Sequence, residues 1–286
     1  MWWLTLGAAL AQSTDPDPYL AADLGFGGAI RANPGAYGAA ITAPAIIALS
    51  PRYSVGGGGR IGSSKVRRVD AGAIDSTTGP VALGAVFIRE SLERDATVGE
   101  LPGWLEDSSD LLNPQVHTSF GGGLAASFLN RRLAVGAGAR YWAYTSRFVD
   151  SASDIQAFAS VAGRLSRGVY LSVGGENLLP TGWDLAQPTI STAARWEESG
   201  IFALEADLIT QLGDEAGLSA LHTGIEGWVS EFVPLRFGYQ RDYKDPSHTI
   251  TAGFGAGSEQ AILEYGASLQ LGSLEHAHSL SMRVFL

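Results

Sequence analysis

The sequence contains no cysteine. This absence excludes disulfides, thiolate metal sites, cysteine nucleophiles and an acylated N-terminal cysteine, and it is compatible with an oxidising compartment. The sequence also lacks a Gly-x-Ser-x-Gly segment and the full ligand spacing of a calcium or zinc site. We therefore predict that the protein is not an enzyme and carries no cofactor.

Charged residues are scarce, at 17% of the chain, where an ordinary soluble domain has about 25%. The 29 acids outnumber the 19 bases, and only two of those bases are lysines, Lys65 and Lys244. A nucleic-acid partner requires a basic patch, which the sequence does not offer. The 45% of apolar residues excludes intrinsic disorder.

Long hydrophobic runs are missing as well. A membrane-spanning helix needs about 20 apolar residues. The longest charge-free candidate, residues 32–51, is interrupted by Pro34, Gly35, Gly38 and Pro44. The sequence therefore predicts no spanning helix.

Residues 1–11 form a short apolar run that ends in Ala-Leu-Ala before a polar stretch. This pattern predicts a secretory signal peptide that is cleaved after Ala11. The alternatives are a buried N-terminal strand and a misplaced start codon.

The rest of the chain alternates between apolar and small or polar residues with a period of two, which is the pattern of β-strands. Val233, Leu235, Phe237 and Tyr239, for example, alternate with smaller or polar neighbours. The alternation predicts fourteen strands, at 52–61, 66–75, 81–91, 116–129, 133–147, 154–165, 168–178, 189–197, 200–212, 219–230, 232–242, 248–257, 259–271 and 277–286. They are longer than the usual strand of about 5–6 residues and close to what a tilted membrane strand requires.

Short and long connections alternate along these strands, as in barrels that have tight periplasmic turns and longer outer loops. One face of each strand is apolar, and the other carries Gly, Ala, Ser, Thr and charges, as a barrel interior does. We therefore predict an all-β fold, a 14-stranded antiparallel transmembrane β-barrel over 51–286. A soluble sandwich or propeller is the alternative.

Glycine-rich segments resemble those of the long-chain fatty acid transporter (FadL) family and its smaller PorV-like relatives. They are 27–32 (Gly-Gly-Ala-Ile-Arg-Ala), 43–45 (Ala-Pro-Ala), 174–178 (Gly-Gly-Glu-Asn-Leu) and the late pair 235–239 and 251–255. The C-terminal run 278–286 resembles the terminal strand by which outer-membrane barrels are recognised for assembly. The resemblance implies a protein of the outer membrane of a Gram-negative bacterium.

Residues 12–50 are not needed for any strand. The resemblance implies that they form an N-terminal plug inside the barrel, where irregular backbone is tolerated. The alternative is a periplasmic segment that leads into the first strand.

Twelve charged residues fall on the inward face if the alternation is taken literally. Six are bases and six are acids, a balance that predicts ion pairs between strands, with a polar permeation path as the alternative. They are Arg68, Asp70, Arg140, Arg164, Glu176, Arg195, Glu205, Asp207, Glu226, Arg236, Glu264 and Arg283.

The longest connection, residues 92–115, faces outward on this topology. Its apolar residues predict an amphipathic lid or a site at which an apolar ligand enters, formed by Leu101, Trp104, Leu105, Leu111 and Leu112. Its acidic residues are those of a solvated loop.

Two functions remain open. The first is a porin-like transport function, the passage of small hydrophobic molecules through a lumen that the plug occludes. The second is a barrel that anchors or scaffolds envelope protein partners in secretion, gliding motility or surface assembly. Both place the barrel in contact with outer-membrane lipid.

Overall fold

The fold is a single closed β-barrel, described by a computed structural model of the chain. The structure describes residues 20–63, 66–92, 115–145, 152–179, 187–198, 201–213, 216–244 and 247–286. Its strands are β1 Tyr53–Gly62, β2 Val66–Asp75, β3 Val81–Leu92, β4 Gln115–Phe128, β5 Leu133–Thr145, β6 Ala152–Ser166, β7 Val169–Glu176, β8 Thr189–Glu198, β9 Phe202–Gln211, β10 Gly217–Ser230, β11 Val233–Asp242, β12 His248–Gly257, β13 Ala261–Leu271 and β14 His276–Phe285.

Every strand is antiparallel to its neighbours in the chain, and β14 closes the barrel on β1 with Gly57 opposite Met282. The predicted 14-stranded antiparallel barrel is therefore confirmed, and each strand lies within two residues of its predicted bounds. Strand β7 ends at Glu176 because Asn177 adopts a left-handed conformation, with φ of 56°. Such a residue leaves the extended region and ends the strand.

The two ends of the barrel differ in their connections. At one end, β4 passes into β5 through 129–132, and β6 passes into β7 through Arg167 and Gly168. We call this the short-turn end; residue 52 leads into β1 here, and the chain finishes here at Leu286. The opposite end, which carries the connection from β3 to β4, is the long-loop end.

The outward face of the barrel is apolar. Phe237, Phe120 and Leu124 are each more than half exposed, and they alternate along their strands with buried or small residues. A water-soluble protein rarely exposes apolar side chains in so continuous a band, whereas a transmembrane barrel presents such a band to lipid.

In the described part of the chain, three short helices precede the barrel strands: α1 Ala21–Gly25, α2 Ala39–Thr42 and a 3₁₀ helix, Pro44–Leu49. No helix in the described ranges has the length and apolar character needed to cross a membrane.

Candidate functional site

Residues 20–50, which we call the inner segment, follow the inward faces of the strands around the barrel. Helix α1 packs against β12, β13 and β14, and the 3₁₀ helix packs against β4, β5 and β6. All residues of the inner segment are buried except Asn33 and Ser50, which are partly exposed. The inner segment is therefore packed against the strands along almost its whole length.

Inward-facing glycines allow the backbone of the inner segment to lie directly on the strands. A methyl group at Gly224 would overlap the carbonyl oxygen of Phe26, and one at Gly238 would overlap the amide nitrogen of Gly27. Among the described residues, eleven glycines on ten strands lie against the inner segment, and we call them the glycine belt. They are Gly56, Gly72, Gly84, Gly121, Gly123, Gly136, Gly174, Gly224, Gly238, Gly253 and Gly266. Seven of them meet its backbone, and the other four, Gly56, Gly72, Gly84 and Gly121, meet side chains of Tyr37, Ala40 and Ile41.

The belt gives a physical reason for part of the high glycine content of the chain. At the seven positions that meet backbone atoms, a side chain would hold the inner segment away from the wall, because glycine alone lets two backbones approach so closely.

Two carboxylates of β9 hold the inner segment by its backbone. Asp207 accepts hydrogen bonds from the amides of Ile30 (2.9 Å) and Arg31 (3.1 Å), and Glu205 accepts one from the amide of Ala32 (2.8 Å). On β6, three strands from β9, the Ser160 hydroxyl accepts a hydrogen bond of 2.9 Å from the Ala45 amide. These bonds satisfy buried amide groups that no regular secondary structure pairs.

Arg31 is the residue that sequence reasoning missed. Its guanidinium pairs with Glu176 at 2.9 Å and lies 3.7 Å from Asp207, so it connects β7 and β9 to the inner segment. A signal was present, because Arg31 is the single base among residues 12–50.

The other predicted lumen residues form local networks. Arg195 pairs with Glu205 at 3.1 Å and with Glu197 at 2.9 Å. Arg236 pairs with Glu226 and Glu264, and Arg283 also pairs with Glu264, which links β11, β13 and β14 across one side of the lumen.

Strands β2, β5 and β6 carry the remaining members of the predicted set. On β2, Nε of Arg68 lies 3.3 Å from Oδ2 of Asp70. Arg140 donates hydrogen bonds to the side-chain oxygen of Gln156. Arg164 lies near the short-turn end, 3.4 Å from the carbonyl oxygen of Asn130. The charged pairs concentrate on the side of β7 to β14, whereas the inward faces of β2 to β6 contribute Ile74, Val86, Ile88 and Phe158 to an apolar cluster.

Several predicted features lie outside the described residues. They are the signal peptide at 1–11, the first part of the 12–50 segment, and the loop residues Leu101, Trp104, Leu105, Leu111 and Leu112. Within the described ranges, no three His, Asp or Glu residues converge in a group that could hold a metal ion.

A cavity of about 570 Å³ lies between the inner segment and the wall near the short-turn end. We call it the short-turn cavity. The turn residues Glu231, Phe232, Ser258 and Glu259 line it, and Asp23 lines it from the inner segment. Burial raises the pKa of Asp23 from 3.8 to about 7, although the nearby Arg283 and Arg236 act in the opposite direction.

Comparison with known proteins shows the fold. No protein-family model and no curated protein sequence matches the chain. The barrel is similar to the crystal structure of the P. putida toluene transporter TodX, with a TM-score of 0.66, 10% identity and coverage of 95% of this chain and 99% of that one.

The barrel is also similar to the CymD monoaromatic hydrocarbon channel, with a TM-score of 0.60, 10% identity and coverage of 98% of this chain and 97% of that one. A further similar structure is the Acinetobacter baumannii outer membrane protein Omp33, with a TM-score of 0.51, 9% identity and coverage of 84% and 100%. The fold and the apolar outward face are those of a bacterial outer-membrane β-barrel, and the expected resemblance to the FadL family is confirmed at the level of the fold.

Proposed function

We propose that the protein is an outer-membrane channel that passes small hydrophobic molecules, with the inner segment acting as a plug that must move for passage. The observation that carries this proposal is the apolar contact between residues 36–49 and the inward faces of β2 to β6. Ile41, Ile46 and Ile47 belong to one buried cluster with Ile88 and Phe158.

Desolvation decides which molecules such a route admits. An apolar molecule that enters between the inner segment and β2 to β6 replaces one apolar contact by another, so it gains from burial. An ion would lose its hydration there without a compensating partner, at a cost of several kcal/mol. The names of TodX and CymD, a toluene transporter and a monoaromatic hydrocarbon channel, support the same ligand class.

We propose that the ligand enters from outside at the loop between β3 and β4, residues 93–114. Uptake of the hydrophobic dye N-phenyl-1-naphthylamine by intact Gram-negative cells tests this, because the outer leaflet normally excludes the dye. Cells that make the protein should take up the dye several-fold faster than cells without it. Replacing Leu101, Trp104 and Leu105 by serine should remove the gain.

The matched control changes polar residues of the same loop. Glu106→Gln with Asp107→Asn keeps the loop length and alters only its charge, so dye uptake should stay at the wild-type rate. Equal uptake with and without the protein would refute passage, and equal uptake in the serine variant would refute this point of entry.

The nearly complete burial of the inner segment favours a second candidate function. A lumen that is filled and tied by ion pairs suits a barrel that anchors or scaffolds envelope proteins without transporting anything. Native mass spectrometry of protein that is purified gently from its own membrane separates the two. An apolar small molecule bound to the barrel supports the channel, whereas an empty barrel with stoichiometric protein partners supports the scaffold.

A further inference from the structure

The short-turn cavity carries more acid than base. Among the residues that the structure describes, six carboxylates and four arginines line it. The acids are Asp23, Glu197, Glu198, Glu226, Glu231 and Glu259, and the bases are Arg52, Arg195, Arg236 and Arg283. Arg195, Arg236 and Arg283 are each paired with glutamates. The cavity therefore keeps an excess of negative charge that these pairs do not neutralise.

Asp23 is the most buried of these acids. The residue is 5% exposed, and its Oδ2 has no hydrogen-bond donor within the part of the chain that the structure describes. A buried carboxylate oxygen without a donor is costly and rare in folded proteins. A bound group that brings both N–H donors and positive charge would remove that cost.

Aromatic rings complete the lining. Phe26, Trp228, Phe232 and Phe285 all contribute to the cavity. The protein's own cations already lie over two of these rings, with Arg195 at 5.6 Å from the ring centre of Phe26 and Arg52 at 5.7 Å from that of Phe285. Ring faces attract cations, and Trp228 and Phe232 offer further apolar surface.

We propose that the short-turn cavity binds small organic cations that carry an ammonium group on an apolar body. The ammonium group pairs with Asp23, and the apolar body lies against Trp228 and Phe232. The volume of about 570 Å³ falls within the range of about 300–1,000 Å³ of small-molecule sites. Binding at equilibrium does not require that the ligand cross the barrel.

Three probes with one skeleton test the charge preference. They are 4-phenylbutylamine, 4-phenylbutyrate and 4-phenylbutan-1-ol, and their binding to the full mature chain in detergent is measured by titration calorimetry at pH 8. The amine should bind at least ten-fold more tightly than the carboxylate and the alcohol. Binding of the carboxylate that equals or exceeds that of the amine would overturn the proposal, since it would assign the cavity to anions through Arg52.

Two variants locate the site. Asp23→Asn should lower the affinity for the amine at least ten-fold and leave the alcohol unchanged. The matched control is Asp154→Asn on β6, near the long-loop end, which should leave the amine affinity unchanged. An equal loss in both variants, or no loss in Asp23→Asn, would contradict the assignment.

A second variant, changed only at the surface, tests the proposal if Asp23→Asn does not fold. Glu231 and Glu259 are exposed turn residues, so replacing both by glutamine should leave the barrel intact and weaken amine binding a few-fold, with no effect on the alcohol. An unchanged amine affinity would count against the charge argument. Amine binding that persists while dye uptake fails would refute the proposed channel and leave this inference standing.

Discussion

Gly224 and Gly227 lie three residues apart on β10 and face opposite sides of the barrel wall. A methyl group at Gly224 would overlap the carbonyl oxygen of Phe26 and lie 2.7 Å from its ring carbon Cγ. At Gly227 the nearest atom would be the carbonyl oxygen of Ile201, at 3.8 Å, an ordinary contact. Gly224→Ala therefore tests the glycine belt, and Gly227→Ala is its matched control.

The magnitude follows from two opposing effects. Overpacking of a filled interior costs about 1–3 kcal/mol. Replacing glycine by alanine at an unobstructed strand position stabilises by about 0.5–1 kcal/mol. Both variants share the second effect, so it cancels, and we expect the free energy of unfolding of Gly224→Ala to lie about 1–3 kcal/mol below that of Gly227→Ala.

Equilibrium unfolding in urea, with the protein in detergent, measures the difference, provided that the slopes against urea concentration agree. Gly238→Ala should behave like Gly224→Ala, and the double variant should lose less than the sum, because both methyl groups displace the same part of the inner segment. Equal stability of Gly224→Ala and Gly227→Ala would refute the reasoning.

Two further predictions concern charged residues of the inner segment. Arg31→Met should lower the free energy of unfolding by about 3–5 kcal/mol, because the substitution removes the buried cation that pairs with Glu176 and Asp207. The control Arg164→Met should change the free energy of unfolding by less than about 1 kcal/mol. Equal losses of the two variants in urea unfolding would contradict the role of Arg31. Asp23 has a higher pKa in the folded than in the unfolded chain, so its contribution to stability falls as pH rises from about 4 to about 7. Over that range the free energy of unfolding of the wild type should fall by up to about 4 kcal/mol relative to that of Asp23→Asn. The charged groups around Asp23 are Arg283, Arg236, Glu264 and Asp70. Parallel pH profiles of the two proteins would show that Asp23 does not titrate in this way.

The barrel was predictable because lipid and lumen impose opposite chemistry on alternate residues. Leu235 and Phe237 on one face, and Arg236 and Gly238 on the other, are enough to define β11 and its inward side. The same alternation, followed along the rest of the chain, predicts the fourteen strands. The alternation of short and long connections supports the strand count independently of hydropathy.

The arrangement of the inner segment was not predictable in the same way. Its contacts with Gly224 and Gly238 are made by backbone atoms, which leave no pattern in side-chain hydropathy. The same holds for Glu205 and Asp207, whose inward direction the alternation indicates, but whose partners are amides of residues 30–32. Balanced charge predicted pairing between strands, and it could not show that Glu176 pairs with a residue of the inner segment.

The central claim, that the inner segment must move for a hydrophobic molecule to pass, can be tested with an engineered disulfide, since the chain has no cysteine of its own. Ala45→Cys with Ser160→Cys would join the inner segment to β6 at a site where the Ser160 hydroxyl now lies 2.9 Å from the Ala45 amide. A control pair, Val135→Cys with Val161→Cys, joins directly opposed residues of β5 and β6 on the outward face. We predict that oxidation abolishes dye uptake by the first variant, that a reductant restores it, and that uptake by the control does not change. Undiminished uptake by the oxidised first variant would contradict the account.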